Sequence, residues 1–489
     1  MRRACITLAV AAAMALQGCA LAPAYQQPDS PVPDAWPQGQ AYPDTLEAGV
    51  AADLGWRTFL RDPALQDLVE TGLRNNRDLK VAALNVQAYQ AQYRIQRADL
   101  LPALGAQAAG TRQRLPADLS QTGAAGISSQ YSVGATLSYE LDFFGRVRSL
   151  SEQALESYLA TAQAQRNVHI GLVASLAQSY FTWQADRAQL ELTRETLDTY
   201  EQTLKLMRDR HQAGASSALD VQQAATAVDS AQAQIQRYIR QVAQDENALA
   251  VLAGAALPPS LKEARPLKMD AQPLAPVPVG LPSELLQRRP DIVQAEHRLK
   301  AANANIGAAK AAFFPSISLT GQAGTASAAM GGLFEGGSGM WSLMPQITVP
   351  IFNAGRLRAS LDYAEISKEI SVAEYEAAIQ NAFREVADSL AAQGTYGKQL
   401  QAQQKRVENT HVYVSLAQQR YDAGVESYLT VLDAQRELYD TQSQQIQDRL
   451  AQLNSEITLY KALGGGWLET SAQPDAAPVQ TARNVMPAQ

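Results

Sequence analysis

Three short segments show alternating apolar and polar residues. The clearest is 131–143, where odd positions are apolar or aromatic and even positions are Ser, Gly, Thr, Glu or Asp. Weaker alternation occurs in 316–322 and 341–351. A period of two predicts β-strands, which we place at about 129–144, 316–328 and 340–352. Residues 106–115 alternate poorly, and we place a fourth strand at about 103–116 mainly because the two halves of the chain correspond. Strands of this length are long enough to cross a membrane at a tilt, which takes roughly 9–11 residues, although a half-buried sheet in a soluble protein would show the same alternation.

Long stretches rich in helix-forming residues follow each pair of predicted strands. Residues 147–213 contain no proline and one glycine, Gly171, and Ala, Gln, Glu and Leu predominate. This composition favours helices, which we predict at about 147–213, 217–253, 356–423 and 427–463. A continuous helix over the first of these ranges would reach ~100 Å at 1.5 Å per residue.

Glycines mark the expected ends and interruptions of these helices. Gly214 and Gly424 stand where the first and third long helices should turn into the next one, because glycine suits a helix end. Ser217 is expected to cap the helix that follows the first turn. Gly394 and Gly397 predict a break or join within the third long helix.

The two halves of the chain carry the same landmarks in the same order. Asp78 and Asp291 begin short helical stretches 213 residues apart, and the turn residues after Arg210 recur after Arg420, 210 residues later. Chance similarity between Ala- and Gln-rich helices would not keep turn residues in register, so we predict a tandem duplication. Each repeat has a short helix, a strand pair and a long helix pair, over 56–270 and 281–467.

The two ends of the chain differ from the repeats. Arginines and a short apolar run precede 16–19, which resembles the lipobox of bacterial lipoproteins. We predict a signal peptide at 1–18, a lipid on Cys19 and an extended proline-rich linker over 19–55. An ordinary signal peptide that happens to contain a cysteine is the alternative. Residues 468–489 are predicted to be a disordered tail.

Charge and polar residues argue against several classes of protein. The formal net charge is −7 and no basic stripe is present, so nucleic-acid binding is not expected. The four histidines lie on separate predicted helices without metal-ligand spacing. We therefore expect no enzyme, no metal and no cofactor other than the covalent lipid on Cys19. A periplasmic structural or adhesion lipoprotein would share the anchor and the helices, and it stays open as an alternative.

Four strands are too few to close a membrane barrel within one chain. Their edge N–H and C=O groups would face hydrocarbon unpaired, and eight strands from two chains would enclose only side chains. We therefore predict a mixed α and transmembrane β fold with two tandem repeats, each a β-hairpin plus a long α-hairpin. Three chains would form a 12-strand β-barrel that continues as a periplasmic α-helical barrel. A coiled-coil spacer without a bore is the alternative.

Several motifs carry a family resemblance that extends to Trp467. They are DL at 78–79, YRIQR at 93–97, ELDFFGR at 140–146, LQRRPDI at 286–292, AAFFPSISL at 311–319 and YKALGGGW at 460–467. With these motifs the chain resembles the TolC-like outer-membrane factors of tripartite efflux pumps, especially their OprM/NodT lipoprotein branch.

The resemblance implies a homotrimeric channel in the outer membrane and in contact with its lipid. It also implies docking to an inner-membrane RND transporter through a periplasmic adaptor, or membrane fusion, protein. The expected function is multidrug efflux through a passive exit duct. Export of metal ions and type I protein secretion remain alternatives.

The resemblance places a periplasmic gate just after the second helix turn. The family's closing residues fall on Leu429, Asp433 and Arg436, and the first two share one helix face. At the repeat offset of 210 the first half instead has Leu219, Gln223 and Thr226. Three Asp433 side chains around a narrow bore would favour cations and repel one another unless protonated or paired, and Arg436 is expected to pair with them. An ordinary surface ion pair on a solvated helix is the alternative.

The two helix turns are the expected docking points for the adaptor. They comprise Gly214, Ala215, Ser216 and Ser217 in the first repeat and Gly424, Val425, Glu426 and Ser427 in the second. Tyr421 is expected to help lock the neighbouring helices. Asp422 stands where the resemblance predicts a basic residue, so we expect no salt-bridge lock at that position.

Overall fold

The computed structural model describes residues 21–43, 49–119 and 123–471. They fall into two compact units, the first with residues up to 29, 84–162 and 294–376, and the second with the remainder. The predicted signal peptide and Cys19 lie outside the described residues, as does the part of the predicted tail from 472 onwards.

A four-stranded antiparallel sheet lies in the first unit. Its strands follow chain order across the sheet, so β2 and β3 join the hairpins of the two repeats. The strands are β1 (Ala103–Leu115), β2 (Gly126–Leu141), β3 (Ser316–Ser327) and β4 (Gly339–Thr348).

The strand register gives this sheet one apolar and one polar face. Leu104 is paired with Leu137, Leu137 with Gly321, and Gly321 with Leu343. Side chains on one face therefore include Val133, Leu137, Tyr139, Ile317, Leu319, Trp341, Leu343 and Ile347. Those on the other face include Thr136, Ser138, Ser318, Thr320, Gln322, Ser342 and Gln346. Trp341 is 80% exposed within the single chain, so the apolar face is uncovered there.

The long helices of the two halves correspond closely in length. The main helices are α1 (Pro63–Asn75), α2 (Arg77–Ala98), α3 (Arg146–Gln212), α4 (Ala218–Ala253), α5 (Pro290–Ala311), α6 (Arg356–Asp422) and α7 (Tyr428–Ala462). Helices α2 and α5 have 22 residues each, and α3 and α6 have 67 each. The prediction of two tandem repeats, each with a β-hairpin and a long α-hairpin, is confirmed. Over the described ranges, no helix combines the length and apolar character needed to cross a membrane.

Two predicted strands end earlier than expected. Strand β2 ends at Leu141, because the Asp142 carboxylate accepts hydrogen bonds from the N–H groups of Val147 and Arg148, at 3.1 and 2.8 Å. Asp142 thus begins the following helix instead of extending the strand. Strand β4 ends at Thr348, shortly before Pro350, which has no N–H to donate to a neighbouring strand.

The predicted break at Gly394 and Gly397 is wrong, because α6 is continuous from Arg356 to Asp422. A Cβ atom on Gly394 would lie 2.3 Å from the carbonyl oxygen of Ala41, whereas one on Gly397 would meet open space. Gly394 therefore permits a close approach by the N-terminal segment. Sequence spacing along the helix carries no sign of this distant neighbour.

The described part of the N-terminal linker, 21–43, contains neither helix nor strand and is nevertheless bound to both units. In the first unit, the Asn303 side-chain amide donates to the Pro23 carbonyl at 2.8 Å. In the second, Trp36 stacks on Phe383 with 5.1 Å between ring centroids, and its indole N–H donates to the Gly280 carbonyl. Trp36 is only 8% exposed, so this segment contributes to the core.

The predicted start of the disordered tail at 468 is too early. The N–H of Trp56 donates to the Leu468 carbonyl at 2.9 Å, and the N–H of Arg57 donates to the Glu469 carbonyl at 3.1 Å. The Arg57 guanidinium also pairs with the Glu469 carboxylate at 2.6 Å. Residues 468–471 are therefore part of the ordered second unit.

Candidate functional site

The tips of the two long α-hairpins have the same backbone geometry. Gly214 and Gly424 have φ of +73° and +74°, in the left-handed region. The N–H of Ala215 donates to the Arg210 carbonyl at 2.8 Å, and the N–H of Val425 donates to the Arg420 carbonyl at 3.0 Å. This hydrogen bond across a left-handed glycine is a common way to end a helix. The tips therefore lie where the repeat comparison predicts them.

The two tips begin their second helices differently. The Ser217 hydroxyl accepts from the Asp220 N–H at 3.2 Å, and the Asp220 carboxylate accepts from the Ser217 N–H at 3.0 Å. This reciprocal cap is the one expected at Ser217. Ser427 makes no such side-chain cap. At the second tip, a hydrogen bond from the Thr430 hydroxyl and the nearby Arg420 lower the pKa of Glu426.

The predicted gate residues share an exposed part of α7. Asp433 Oδ1 lies 3.7 Å from Arg436 Nη1, and both side chains are about half exposed. Leu429, one turn earlier, is 46% exposed, and its counterpart Leu219 in the first repeat is 65% exposed. The structure thus brings the two charged residues together and leaves both leucines uncovered within one chain.

A buried cluster below the tips fixes the opposite side of α7. It comprises Tyr200, Leu204 and Met207 of α3, Ala224, Ala227, Val228 and Ala231 of α4, Ala417 of α6, and Tyr428, Val431, Leu432 and Ala434 of α7. Burial raises the pKa of Tyr428 to about 12, so this phenol is neutral at physiological pH. Along α7, buried residues of this cluster alternate with the exposed predicted gate residues. The predicted gate residues therefore face away from the cluster.

An ion pair joins the two hairpins next to the predicted gate residues. Arg210 Nη2 lies 3.0 Å from Asp422 Oδ1, and the Arg210 guanidinium lies 4.9 Å from the Tyr421 ring centroid. A hydrogen bond from Gln418, together with Arg210, lowers the pKa of Asp422. Asp422 therefore forms a salt bridge between the two hairpins where no salt-bridge lock was expected, because its partner comes from the first repeat.

Sequence reasoning missed the contact of Arg210 with Asp422, although Arg210 and Arg420 were landmarks of the repeat. Arg420 pairs with Glu426 of its own turn at 3.5 Å. The corresponding residue in the first turn is Ser216, which leaves Arg210 available for Asp422. The signal in the sequence was the acidic residue Glu426 in the second turn, which has no acidic counterpart at Ser216 in the first turn.

A polar cavity of about 290 Å³ separates the first hairpin from α7. It is lined by Thr193, Thr196, Tyr200, Thr226, Ala227, Ser230, Ala231, Gln234, Arg436, Tyr439 and Asp440. Arg436 therefore borders both the exposed gate surface and this internal space. Within the described ranges, no group of three or more His, Cys, Asp or Glu side chains is placed to hold a metal ion.

Comparison with known proteins assigns this architecture to a family. The model of the outer membrane efflux protein family matches residues 68–255 and 281–465, that is, both repeats. The chain belongs to the outer membrane efflux protein family. The predicted resemblance to TolC-like outer-membrane factors is confirmed by this match.

Individual relatives agree over nearly the whole chain. The antibiotic efflux pump outer membrane protein ArpC of Pseudomonas putida is 58% identical over 475 residues, covering 97% of this chain and 98% of ArpC. The toluene efflux pump outer membrane protein TtgC, also of Pseudomonas putida, has the same identity and coverage. The open-state crystal structure of the MtrE outer membrane channel of Neisseria gonorrhoeae is similar with a TM-score of 0.83 and 38% identity. The match covers 93% of this chain and all of the MtrE chain.

These relatives place the protein in the cell outer membrane, with a part that extends into the periplasm. They are efflux channel proteins and not enzymes, which confirms the expected class.

Proposed function

We propose that this protein is the trimeric exit duct of a tripartite RND-type efflux pump, closed at its periplasmic end by Leu429, Asp433 and Arg436. The observation that carries the proposal is the four-stranded sheet. It has one apolar face, and its outer strands β1 and β4 each have a partner on one side only. Unpaired strand edges are not tolerated in lipid, so the sheet must be completed by other chains.

Three copies of the sheet would supply twelve strands, with β4 of each copy pairing with β1 of the next. The apolar face with Trp341 and Leu343 would then contact lipid, and the face with Thr136 and Gln322 would line an aqueous bore. Eight strands from two copies would leave an interior filled by side chains. A trimer is therefore the smallest closed assembly with a channel.

The helices support assembly through their uncovered apolar residues. Helix α2 exposes Val81, Leu84 and Ile95, and α6 exposes Tyr363, Ile366 and Ile370. These residues recur at helical spacing, which produces apolar stripes on otherwise polar helices. Burial of such stripes against neighbouring copies would stabilise the trimer.

The gate proposal rests on the asymmetry between the two tips. Only the second hairpin has charged residues at the three gate positions after the turn, and threefold symmetry would bring its Leu429 and Asp433 side chains together around the axis. The Arg210–Asp422 pair and Tyr421 would hold the second hairpin against the first in the closed state. A rearrangement of these contacts on docking would open the duct.

The same proposal includes the other expected partners of the duct. The hairpin tips at 214–217 and 424–427 would receive a periplasmic adaptor protein, which would connect the duct to an inner-membrane RND transporter. A lipid on Cys19 would anchor each chain in the outer membrane. Relatives named for antibiotics and toluene suggest small hydrophobic substrates, which the transporter would select.

The proposal is tested by conductance of the purified full-length protein in planar lipid bilayers. We expect trimers that resist dissociation in unheated detergent, and a small conductance that increases in Asp433→Ala and further in Leu429→Ala/Asp433→Ala. The matched control is Leu219→Ala, which alters the first tip and should leave conductance near that of the wild type. Unchanged conductance in both gate variants would contradict the gate. Monomers without conductance would favour a structural lipoprotein.

A further inference from the structure

The first repeat neutralises two arginines at the junction of strand and helix. Arg146 lies 2.6 Å from the Glu140 carboxylate, and Arg148 lies 3.3 Å from the Asp142 carboxylate. Both carboxylates belong to the end of β2 and the residues directly after it. The arginines at the start of α3 are thus paired within their own repeat.

The second repeat keeps the arginines and lacks the carboxylates. At the offset of 210, Arg356 and Arg358 are retained, whereas Pro350 and Phe352 replace the two acidic residues. Arg358 is 82% exposed and has only a distant contact of 3.8 Å with Asp362. Phe352 is 88% exposed in the single chain. This junction therefore presents weakly neutralised cations beside an exposed aromatic ring.

Arg358 opens onto a groove of about 570 Å³ within the first unit. Its lining combines two cationic, two acidic and four apolar side chains, namely Lys310, Arg358, Asp362, Glu365, Leu21, Phe313, Phe314 and Leu361. Phe313 and Phe314 are 41% and 42% exposed. A ligand that fits these walls has an anionic and a cationic group close together and an apolar part.

The groove lies where the strands give way to helices. Phe314 follows the end of α5 and precedes Ser316, the first residue of β3. Leu21 also lines the groove and is two residues from Cys19 in the sequence. Girdles of aromatic residues flank the apolar band of transmembrane β-barrels at both interfaces, and basic side chains near the membrane surface are attracted to lipid headgroups.

We propose that this groove binds the headgroup of a zwitterionic aminophospholipid of the phosphatidylethanolamine type. Lys310 and Arg358 donate hydrogen bonds to the phosphate, for which guanidinium groups are well suited. Asp362 and Glu365 accept hydrogen bonds from the primary ammonium group, and Phe313 and Phe314 contact the acyl chains. The site rests on the proposed function, because it requires the sheet to lie in a membrane.

The headgroup distinguishes phosphatidylethanolamine from other phospholipids at this site. Phosphatidylglycerol has the phosphate and no cation for Asp362 and Glu365. Phosphatidylcholine has a quaternary ammonium without N–H donors, so it cannot donate to these carboxylates. With this groove occupied in every chain, a trimer would bind three lipids.

Native mass spectrometry of the delipidated full-length protein tests the site. Detergent-solubilised protein is incubated with each of the three lipids, and the lipids retained per trimer are counted. We expect preferential retention of phosphatidylethanolamine, and an affinity roughly a hundredfold lower in Lys310→Gln/Arg358→Gln, since each of the two charge-assisted contacts removed is worth roughly tenfold.

The matched control is Arg148→Gln, the counterpart of Arg358, whose guanidinium already pairs with Asp142. This variant should retain as much phosphatidylethanolamine as the wild type. The lipid site would be overturned if the double variant retained as much phosphatidylethanolamine as the wild type, or if the wild type retained all three lipids equally. An intact trimer peak in that case would leave the proposed duct standing. Loss of the trimer peak in the wild type would overturn both.

Discussion

Arg210 and Asp422 form an ion pair with 3.0 Å between Nη2 and Oδ1, and they lie in different repeats at the ends of α3 and α6. The corresponding arginine of the second repeat, Arg420, pairs within its own turn with Glu426. One pair therefore links the hairpins, and the other stabilises a single turn. Loss of the first should affect the gate, whereas loss of the second should not.

Substitution Asp422→Ala is expected to raise the open probability of the channel. The pair is partly exposed, and such pairs contribute up to about 1 kcal/mol, which corresponds to a change of at most about fivefold. Single-channel recordings would measure the effect, and it should shrink at high salt because exposed charges are screened. Glu426→Ala is the matched control. An equal effect of the two variants would rule out a specific role for the cross-hairpin pair.

Ion selectivity should follow the number of carboxylates at the gate. Asp433→Asn removes one carboxylate per chain and is expected to weaken cation selectivity, which a reversal potential in a KCl gradient would report. Gln223→Asp adds a carboxylate at the corresponding position of the first repeat and should strengthen it. If both variants had the cation selectivity of the wild type, neither position would face the ion path.

The glycines of α6 should respond in opposite directions to alanine. Gly397→Ala places a methyl group in open space and is expected to stabilise the helix by roughly 0.5–1 kcal/mol. Gly394→Ala would force the N-terminal segment away from the helix, since the new Cβ would lie 2.3 Å from the Ala41 carbonyl oxygen. We expect about 1–3 kcal/mol of destabilisation. Thermal unfolding of the two variants in the same detergent would compare them directly.

The two hairpin tips offer a second matched pair of variants, one serine in each tip. Ser217→Ala removes a side-chain cap and should destabilise the first tip by about 1 kcal/mol. Ser427→Ala removes a hydroxyl that makes no cap, so its effect should be small. Hydrogen exchange of the first turns of α4 and α7 would localise the difference. Faster exchange at both tips would mean that the two serines are equivalent.

A pair of acidic side chains should make the stability of the second unit depend on pH. Burial, and then the neighbouring Asp186 carboxyl, raise the pKa of Asp245 to about 7. Glu246 also raises it, whereas a hydrogen bond from Gln241 lowers it. A carboxyl with a raised pKa favours the folded state when it is neutral, and this contribution is lost as the pH rises from about 4 towards 7.

Asp245→Asn should therefore be more thermostable than the wild type at pH 8 and similar to it near pH 4. The melting temperature across this range would test the expectation. Asp229→Asn, an exposed carboxylate on the same helix, is the control and should show no such trend. A constant difference in melting temperature between Asp245→Asn and the wild type at all pH values would contradict the assignment of this pH dependence to the Asp245 carboxyl.

The repetitive parts of the fold were predictable from the sequence because their signals are local. Gly214 and Gly424 adopt the left-handed backbone that ends a helix, and the alternation around Leu137 places its strand. The strand ends were less predictable. Phe143 continues the apolar alternation, yet pairing with the neighbouring strand stops at Leu141. Periodicity records which face a residue occupies and not whether a partner strand is still present.

Contacts between residues distant in the sequence could not be predicted. The approach of Ala41 to Gly394 and the pairing of Arg210 with Asp422 depend on segments more than 200 residues apart. A glycine within a helix also has a common local explanation, a helix break, and the contact with Ala41 replaces that explanation for Gly394.

The equal lengths of the paired helices have a consequence for where the chain can change. Helices α3 and α6 have 67 residues each, whereas the four strands have 13, 16, 12 and 10. One residue inserted into either helix would rotate all following side chains by about 100° and detach them from their neighbours. The connections between strands carry no such constraint. Insertions, epitope tags and differences between homologues should therefore concentrate at 116–125 and 328–338, which makes these connections the practical sites for labelling the protein.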